Sequence, residues 1–475
     1  MALWMLRASR RLGVTIVSLG LLAVLLAALA GCALPPPFAS APAQNCISQQ
    51  RSGALGAGGG LVVALAANDP TAADHTSALY GVRASDGAVA WSCASTTYAG
   101  WDDAQLVGGA IYALAGTAPS RDAPAPTHAH GLYAIRPQDG KQLWSYSFQA
   151  GSTSPLAFDG DLLFFSAVTS DGESSHSNLY AIRAATGALA WSESFGDAIG
   201  QPIVVAHLLV VPIFTANTPG AQSGQELRGL NEADGSMVWS DTLASGDTLV
   251  SWLSLGGALY YTDGSALTAL DGATGKTRWT QLGFSELGGP LYSARGAILF
   301  SASLSVFAFD QATGAMRWSA VLNGTPQLLT VSSARAYAAT LGSAGMDSHL
   351  YALDVGTGDV RWQHDAPFAA SPAADASGNT YFSISTGPQK LANVVALDAR
   401  GVLRWTYKGQ SPYSANALIP TGGALYYVWQ SFQFGAVNAP ITTYVTCLRA
   451  ADGAKQWTTP LAARNAYPLP PMLVR

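Results

Sequence analysis

From residue 61 onward the chain is a succession of short apolar runs, each broken by glycine, aspartate, threonine or asparagine. Pro290-Leu-Tyr-Ser293, Ala297-Ile-Leu-Phe-Ser301 and Ser305-Val-Phe-Ala-Phe309 follow one another, and Leu350-Tyr-Ala-Leu353 belongs to the same class. Runs this short, rich in aromatic and branched residues and bounded by turn formers, predict strands rather than helices. Behind many of them comes Asp-x-x-Thr-Gly. There the Asp and Thr side chains can bond nearby amides and Gly takes a positive φ without steric cost. A second short strand ending in tryptophan follows, so the unit predicted is an antiparallel hairpin.

The hairpin recurs. Its clearest copies are Ala269–Trp279, Ala308–Trp318 and Ala352–Trp362, and weaker ones end at Trp91, Trp144, Trp191, Trp239, Trp405 and Trp457. Glycine stands four residues before every one of the nine tryptophans, at Gly87, Gly140, Gly187, Gly235, Gly275, Gly314, Gly358, Gly401 and Gly453. Successive tryptophans are 39 to 53 residues apart, the period of four-stranded propeller blades. Nine or ten places before each is a small residue: Gly81, Ala134, Ala181, Gly229, Ala269, Ala308, Ala352, Ala396 or Cys447. An indole needs a flat slot to bury its ~150–250 Å². The small column is expected to supply that slot, with the rings stapling hairpins and neighbouring blades. Nine equivalent tryptophans suit a scaffold better than a ligand site.

This phrase resembles the tryptophan-docking, PQQ-type (quinoprotein-like) β-propeller repeat, over nearly all of residues 60–475. The resemblance implies an all-β propeller of four-stranded antiparallel blades. Family members usually have eight blades, and eight is the expectation, although nine phrases leave room for nine. The first repeat, starting at Leu61-Val-Val-Ala-Leu65, lacks a clear inner strand, and Pro470–Arg475 is expected to supply it and close the ring. The family holds quinoprotein alcohol dehydrogenases and a non-catalytic, BamB-like lipoprotein branch active in envelope protein assembly.

Before the repeats, Arg7, Arg10 and Arg11 precede an uncharged run from Leu12 to Ala30, then Leu29-Ala30-Gly31-Cys32. Residues 1–31 are expected to be a signal peptide and Cys32 the lipid-bearing cysteine, an uncleaved signal anchor being the alternative. Residues 32–59, with Pro35-Pro-Pro37 and Gly58-Gly-Gly60, predict a tether. Charged residues make up only 11% of the chain, against about 25% in soluble proteins generally. Loss of the three leader arginines would take the formal charge from −5 to −8. With no basic patch, nucleic acid is not expected as a partner.

Candidate chemistry is sparse. The dehydrogenase branch implies an adjacent Cys-Cys disulfide, a metal held by acidic and amide side chains, and a catalytic aspartate. Here Cys32, Cys46, Cys93 and Cys447 are all isolated, and no metal-ligand motif matches. No cofactor, metal or catalytic residue is therefore expected. Cys46 and Cys93, both on the N-terminal side of an exported chain, are expected to form a disulfide, and Cys447 to be a buried thiol. His128, His130, His75, His176 and His349 are expected to be solvated loop residues. The loops 115–129, 168–178, 215–226, 339–348 and 431–442 gather sequence variety on one face, where a partner is expected to bind. Trp429, Phe432 and Phe434 are candidate contacts there, core packing being the alternative. The function expected is an exported, membrane-anchored, monomeric scaffold facing the periplasm or cell surface and binding a protein or envelope ligand. A quinone-dependent dehydrogenase or sugar-binding enzyme is the alternative.

Overall fold

Each tryptophan phrase folds as the outer hairpin of a sheet, and among the described residues the sheets number nine. The computed structural model describes residues 44–48, 60–67, 78–95, 99–117, 128–170, 175–214, 225–243, 249–263, 265–284, 289–332, 334–341, 348–366, 370–386, 391–409, 416–431, 442–464, 467–468 and 472–474. All of these lie in one unit, residues 41–475. Among the described residues every strand pairing is antiparallel, and apart from the ring closure and the added strand Gln44–Ser48 the strands of each blade follow one another in chain order. Blade 6 is representative: Tyr292–Ala294 is innermost, then Ala297–Ala302, Ser305–Asp310 and outermost Met316–Val321. One phrase makes one blade, so the count is nine and the expected eight is corrected. The family's usual number yielded to the number of repeats present.

The third and outer strands share one irregularity. Ala308 pairs with Trp318, but the next pair is Phe309 with Met316, which skips Arg317. The same register shift follows the small residue in all nine blades. Such a bulge bends and twists an edge strand, which discourages edge-to-edge association.

The bulge aims each indole across the seam. Its first wall is the small residue opposite it in its own blade: Gly81 faces Trp91, Ala269 faces Trp279, and Cys447 faces Trp457. Its second wall belongs to the following blade. A Cβ built on Gly358 would lie 2.6 Å from Cε3 of Trp318, and one on Gly314 would lie 2.6 Å from Cδ2 of Trp279. Gly140, Gly187, Gly235, Gly275, Gly401 and Gly453 back onto the tryptophan of the preceding blade in the same way. In eight of the nine the indole N–H then donates to a turn carbonyl of that following blade, as Trp91 does to Pro137 at 2.7 Å, Trp318 to Val355 at 2.9 Å and Trp405 to Ala450 at 3.0 Å. The glycine four residues before each tryptophan thus serves two ends. It takes φ near +70 to +80° in the turn, and it leaves room for the neighbour's ring.

The ring closes by the same contacts. Trp457 of blade 9 stacks on Gly87 of blade 1 and donates to Ala84 O at 3.1 Å. Met472–Val474 pairs with Leu61–Val63, supplying the inner strand that blade 1 lacks, as expected. Gln44–Ser48, in the segment read as tether, pairs outside Val89–Ser95 as a fifth strand.

Six of these turns take one of two forms of opposite polarity. In blade 6, Asp310 accepts bonds from Thr313 N and Oγ1, both at 2.9 Å, and pairs with Arg317 at 2.8 Å. In blades 1, 2 and 9 Arg and Asp take the places of Asp and Thr: Arg83–Asp86, Arg136–Asp139 and Arg449–Asp452 pair at 2.8, 3.0 and 2.7 Å. Exposed pairs of this kind contribute only ~0–1 kcal/mol each, but either polarity holds the loop. The guanidinium beside it, with the Thr donors, holds the Asp310 carboxyl far below the usual carboxylate range.

Candidate functional site

In a four-stranded meander, the turn from first to second strand and the turn from third to outer strand leave from one face. The connection from second to third strand leaves from the other. The Gly-containing turns therefore crowd one face, and the variable loops rise from the opposite one. Much of those loops lies outside the described residues, as do His75, Phe432 and Phe434.

Strand ends at the loop face are described, and they revise the histidine reading. His176 is exposed, but His130 and His349 are buried. His130 packs with its ring 5.6 Å from that of Phe148. Nδ1 of His349 lies 3.0 Å from Asp365 Oδ1. Both histidines sit in strands that run further toward the loop face than the sequence pattern showed, so they are packed rather than solvated. Trp429 is half-buried, stacked 4.3 Å from Tyr444 with 12° between the planes, and its Nε1 donates to Thr446 Oγ1 at 2.9 Å. Cys447 is a free, buried thiol, raised to about 11 chiefly by burial. Cys93 is disulfide-bonded and stands opposite Cys46 in the register. Cys32 and the leader lie outside the described residues.

The turn face holds a cluster that the sequence pattern did not reveal. Asp159 ends the inner strand of blade 3, Ala157–Asp159. His207 lies in the turn between Ile203–Val205 and Leu208–Phe214 of blade 4. Glu232 follows Gln225–Asn231 in the same blade. Three turns of two neighbouring blades thus meet at one seam. His207 Nδ1 is 3.1 Å from Asp159 Oδ2 and 3.9 Å from Glu232 Oε1. One ligating atom from each of the three lies within 4.8 Å of the others. Trp191 fixes the backbone here, its indole donating to Glu232 O at 2.8 Å. Burial, reinforced by the Asp159 carboxyl beside it, pushes Glu232 up to about 7, and His207 acts in the opposite sense.

The signal that could have exposed this cluster is a departure from the repeat. The corresponding turns of blades 2, 5 and 9 are Gly108-Gly109, Gly256-Gly257 and Gly422-Gly423, all at positive φ. Blade 4 holds Ala206 and His207 there, at φ 51 and 58°. L-residues pay about 1–2 kcal/mol for that conformation.

A closed ring of repeats, each docked through an indole onto the next blade, defines a tryptophan-docked β-propeller. The family described as outer membrane protein assembly factor BamB matches residues 128–258 and 223–459, and the chain belongs to that family. A tetrathionate hydrolase of Acidithiobacillus ferrooxidans is 25% identical over 178 residues, covering 34% of this chain and 33% of that protein. The match thus spans about a third of the relative's length. Among solved structures, BamB from Moraxella catarrhalis is 18% identical, covering 69% of this chain and 93% of its own, with a TM-score of 0.46. The dihydro-heme d1 dehydrogenase NirN is 14% identical, covering 74% and 73%, with a TM-score of 0.49.

Proposed function

We propose that this protein is an exported, lipid-anchored scaffold whose loop-rich face binds a protein partner of the cell envelope, in the manner of an assembly factor. The carrying observation is membership of the BamB family over residues 128–459. The use of the repeat tryptophans supports it. All nine rings are taken up in docking blade to blade, which makes the ring a stiff platform for its loops. Cys32 is the lipid attachment point, residues 1–31 the signal peptide and the segment from Cys32 up to the Gln44–Ser48 strand the tether. The disulfide of Cys93 is with Cys46, which faces it, and an oxidised pair suits an extracytoplasmic location. Trp429 is the described member of the contact surface, half-buried at the loop face, and Phe432 and Phe434 complete it.

The test is cross-linking in intact cells from a residue introduced beside Trp429, followed by mass spectrometry of the captured partner. A reproducible envelope protein, lost with Trp429→Ala, is the expected result. Cross-links to no protein, or unaltered ones in the variant, would overturn the reading of that face. Cys32→Ser should release the protein from membranes; retention would instead indicate an uncleaved signal anchor.

The tetrathionate hydrolase similarity supports a second, catalytic reading. Purified protein that consumes tetrathionate, or that is strongly stabilised by pyrroloquinoline quinone plus calcium, would favour an enzyme over a scaffold.

A further inference from the structure

We propose that Asp159, His207 and Glu232 form a surface site for a divalent first-row transition ion, with Zn²⁺ as its probe, on the face opposite the variable loops. The donor set comes first. One imidazole and two carboxylates converge within 4.8 Å from three separate turns. Carboxylates alone would favour magnesium, calcium or manganese, whereas an imidazole among them shifts preference to zinc, iron, nickel or copper.

The second observation is a crowded carboxylate pair. Oε2 of Glu232 is a buried atom on a side chain that is 26% exposed, and the Asp159 carboxyl beside it can bond to it only through a shared proton, which a cation would replace. A carboxylate oxygen removed from water without a hydrogen bond or counter-charge is costly. The nearby Asp159 carboxylate makes it costlier. In blades 1, 2, 5, 6, 7 and 9 an arginine of the same Gly-containing hairpin pairs with its aspartate, and blade 4 carries no arginine between Asn231 and Trp239. The blade 4 turn therefore lacks the built-in guanidinium that those six turns use. A cation held by the Glu232 carboxylate, an Asp159 oxygen and Nδ1 of His207 would fill that role.

Three protein ligands leave a coordination position free. The His207 side chain is 84% exposed, so that position opens to solvent, where water or a side chain of another molecule can enter. The ion would also tie Asp159 of blade 3 to His207 and Glu232 of blade 4, bracing a seam that Trp191 already spans.

The experiment is calorimetric titration of the full chain, purified in detergent and stripped with chelator, using Zn²⁺, Co²⁺ and Ca²⁺. His207→Asn tolerates positive φ while removing the imidazole, and Glu232→Gln keeps the shape of the side chain. Wild type should take up one equivalent of Zn²⁺ and melt at a higher temperature with it. Co²⁺ should show d–d absorption of low coordination number, and Ca²⁺ should bind at least about ten-fold more weakly. Each variant should lose at least ~10-fold in Zn²⁺ affinity, the least that disturbing a ligand shell costs, while melting normally without metal. Absence of stoichiometric Zn²⁺ binding, Zn²⁺ affinity unaltered in both variants, or equal affinity for Ca²⁺ would each overturn the proposal.

Discussion

If Gly358 serves both the turn and the neighbouring indole, replacing it by alanine should cost energy through two separable routes. The first is conformational: φ is +78°, where an L-residue loses about 1–2 kcal/mol. The second is steric. The new Cβ would stand 2.6 Å from Cε3 and 2.7 Å from Cδ2 of Trp318, a ring held by its bond to Val355 O and by Ala308 opposite it. Forcing such overpacking costs about 1–3 kcal/mol. Trp318→Ala alone should cost about 3–5 kcal/mol. In that background Gly358→Ala retains only the conformational cost, because nothing remains to collide with. The double-mutant cycle should therefore give a coupling of about 1–3 kcal/mol, well above the ~0.3–0.5 kcal/mol scatter of independent sites. Gly423 is the control. Its φ is +80° and a Cβ there meets nothing within 4 Å, so Gly423→Ala should cost about 1–2 kcal/mol in either background. Urea unfolding followed by circular dichroism measures all four corners of the cycle. Additive costs for Gly358→Ala and Trp318→Ala would refute the two-walled slot.

Other consequences are simpler to check. Removal of residues 469–475 takes away the inner strand paired with Leu61–Val63, and should lower the melting temperature and admit protease cleavage within blade 1 first. The turn carboxylates Asp271, Asp310 and Asp354 are held below their ordinary range, first by their arginines. A depressed folded-state value gives stability that is present above the unfolded value, ~3.9, and lost as pH falls through the folded one. Asp310→Asn should therefore flatten the loss of stability below pH ~4 relative to wild type. Cys447 should resist a thiol reagent at pH 8 in the native protein and react promptly after denaturation, because burial holds it at about 11. Mass spectrometry before and after reduction should join the peptides of Cys46 and Cys93; a free Cys93 would remove that pairing.

The repeat was legible because its physics is local. A turn glycine, a small residue and an indole at fixed spacing define a hairpin, and the sequence named all nine. What it did not give was the second wall of each slot, since the glycine of the next blade meets a ring some 39 to 53 residues upstream of the next tryptophan. The weaker copies depart from Asp-x-x-Thr-Gly, yet Arg449 and Asp452 restore with reversed polarity what Asp310 and Arg317 do elsewhere. His130 and His349 are buried where the local pattern predicts solvated loops, because strand length toward the loop face is set by packing. The Asp159, His207 and Glu232 cluster was hidden for a different reason. Its members lie 48 and 25 residues apart and meet only because blades 3 and 4 share a seam.

The partnership of Leu61–Val63 with Met472–Val474 also dictates an order of events. Blade 1 cannot acquire its inner strand until some 400 further residues have emerged, and loop closure over that span must precede the reward of sealing the ring. Blades 2 to 9 can assemble from neighbours in sequence as each emerges. The last event is then a single non-local zippering, and until it happens the chain presents an open sheet edge at its first blade. An exported chain would carry that sticky edge through translocation, the interval in which a chaperone has most to do.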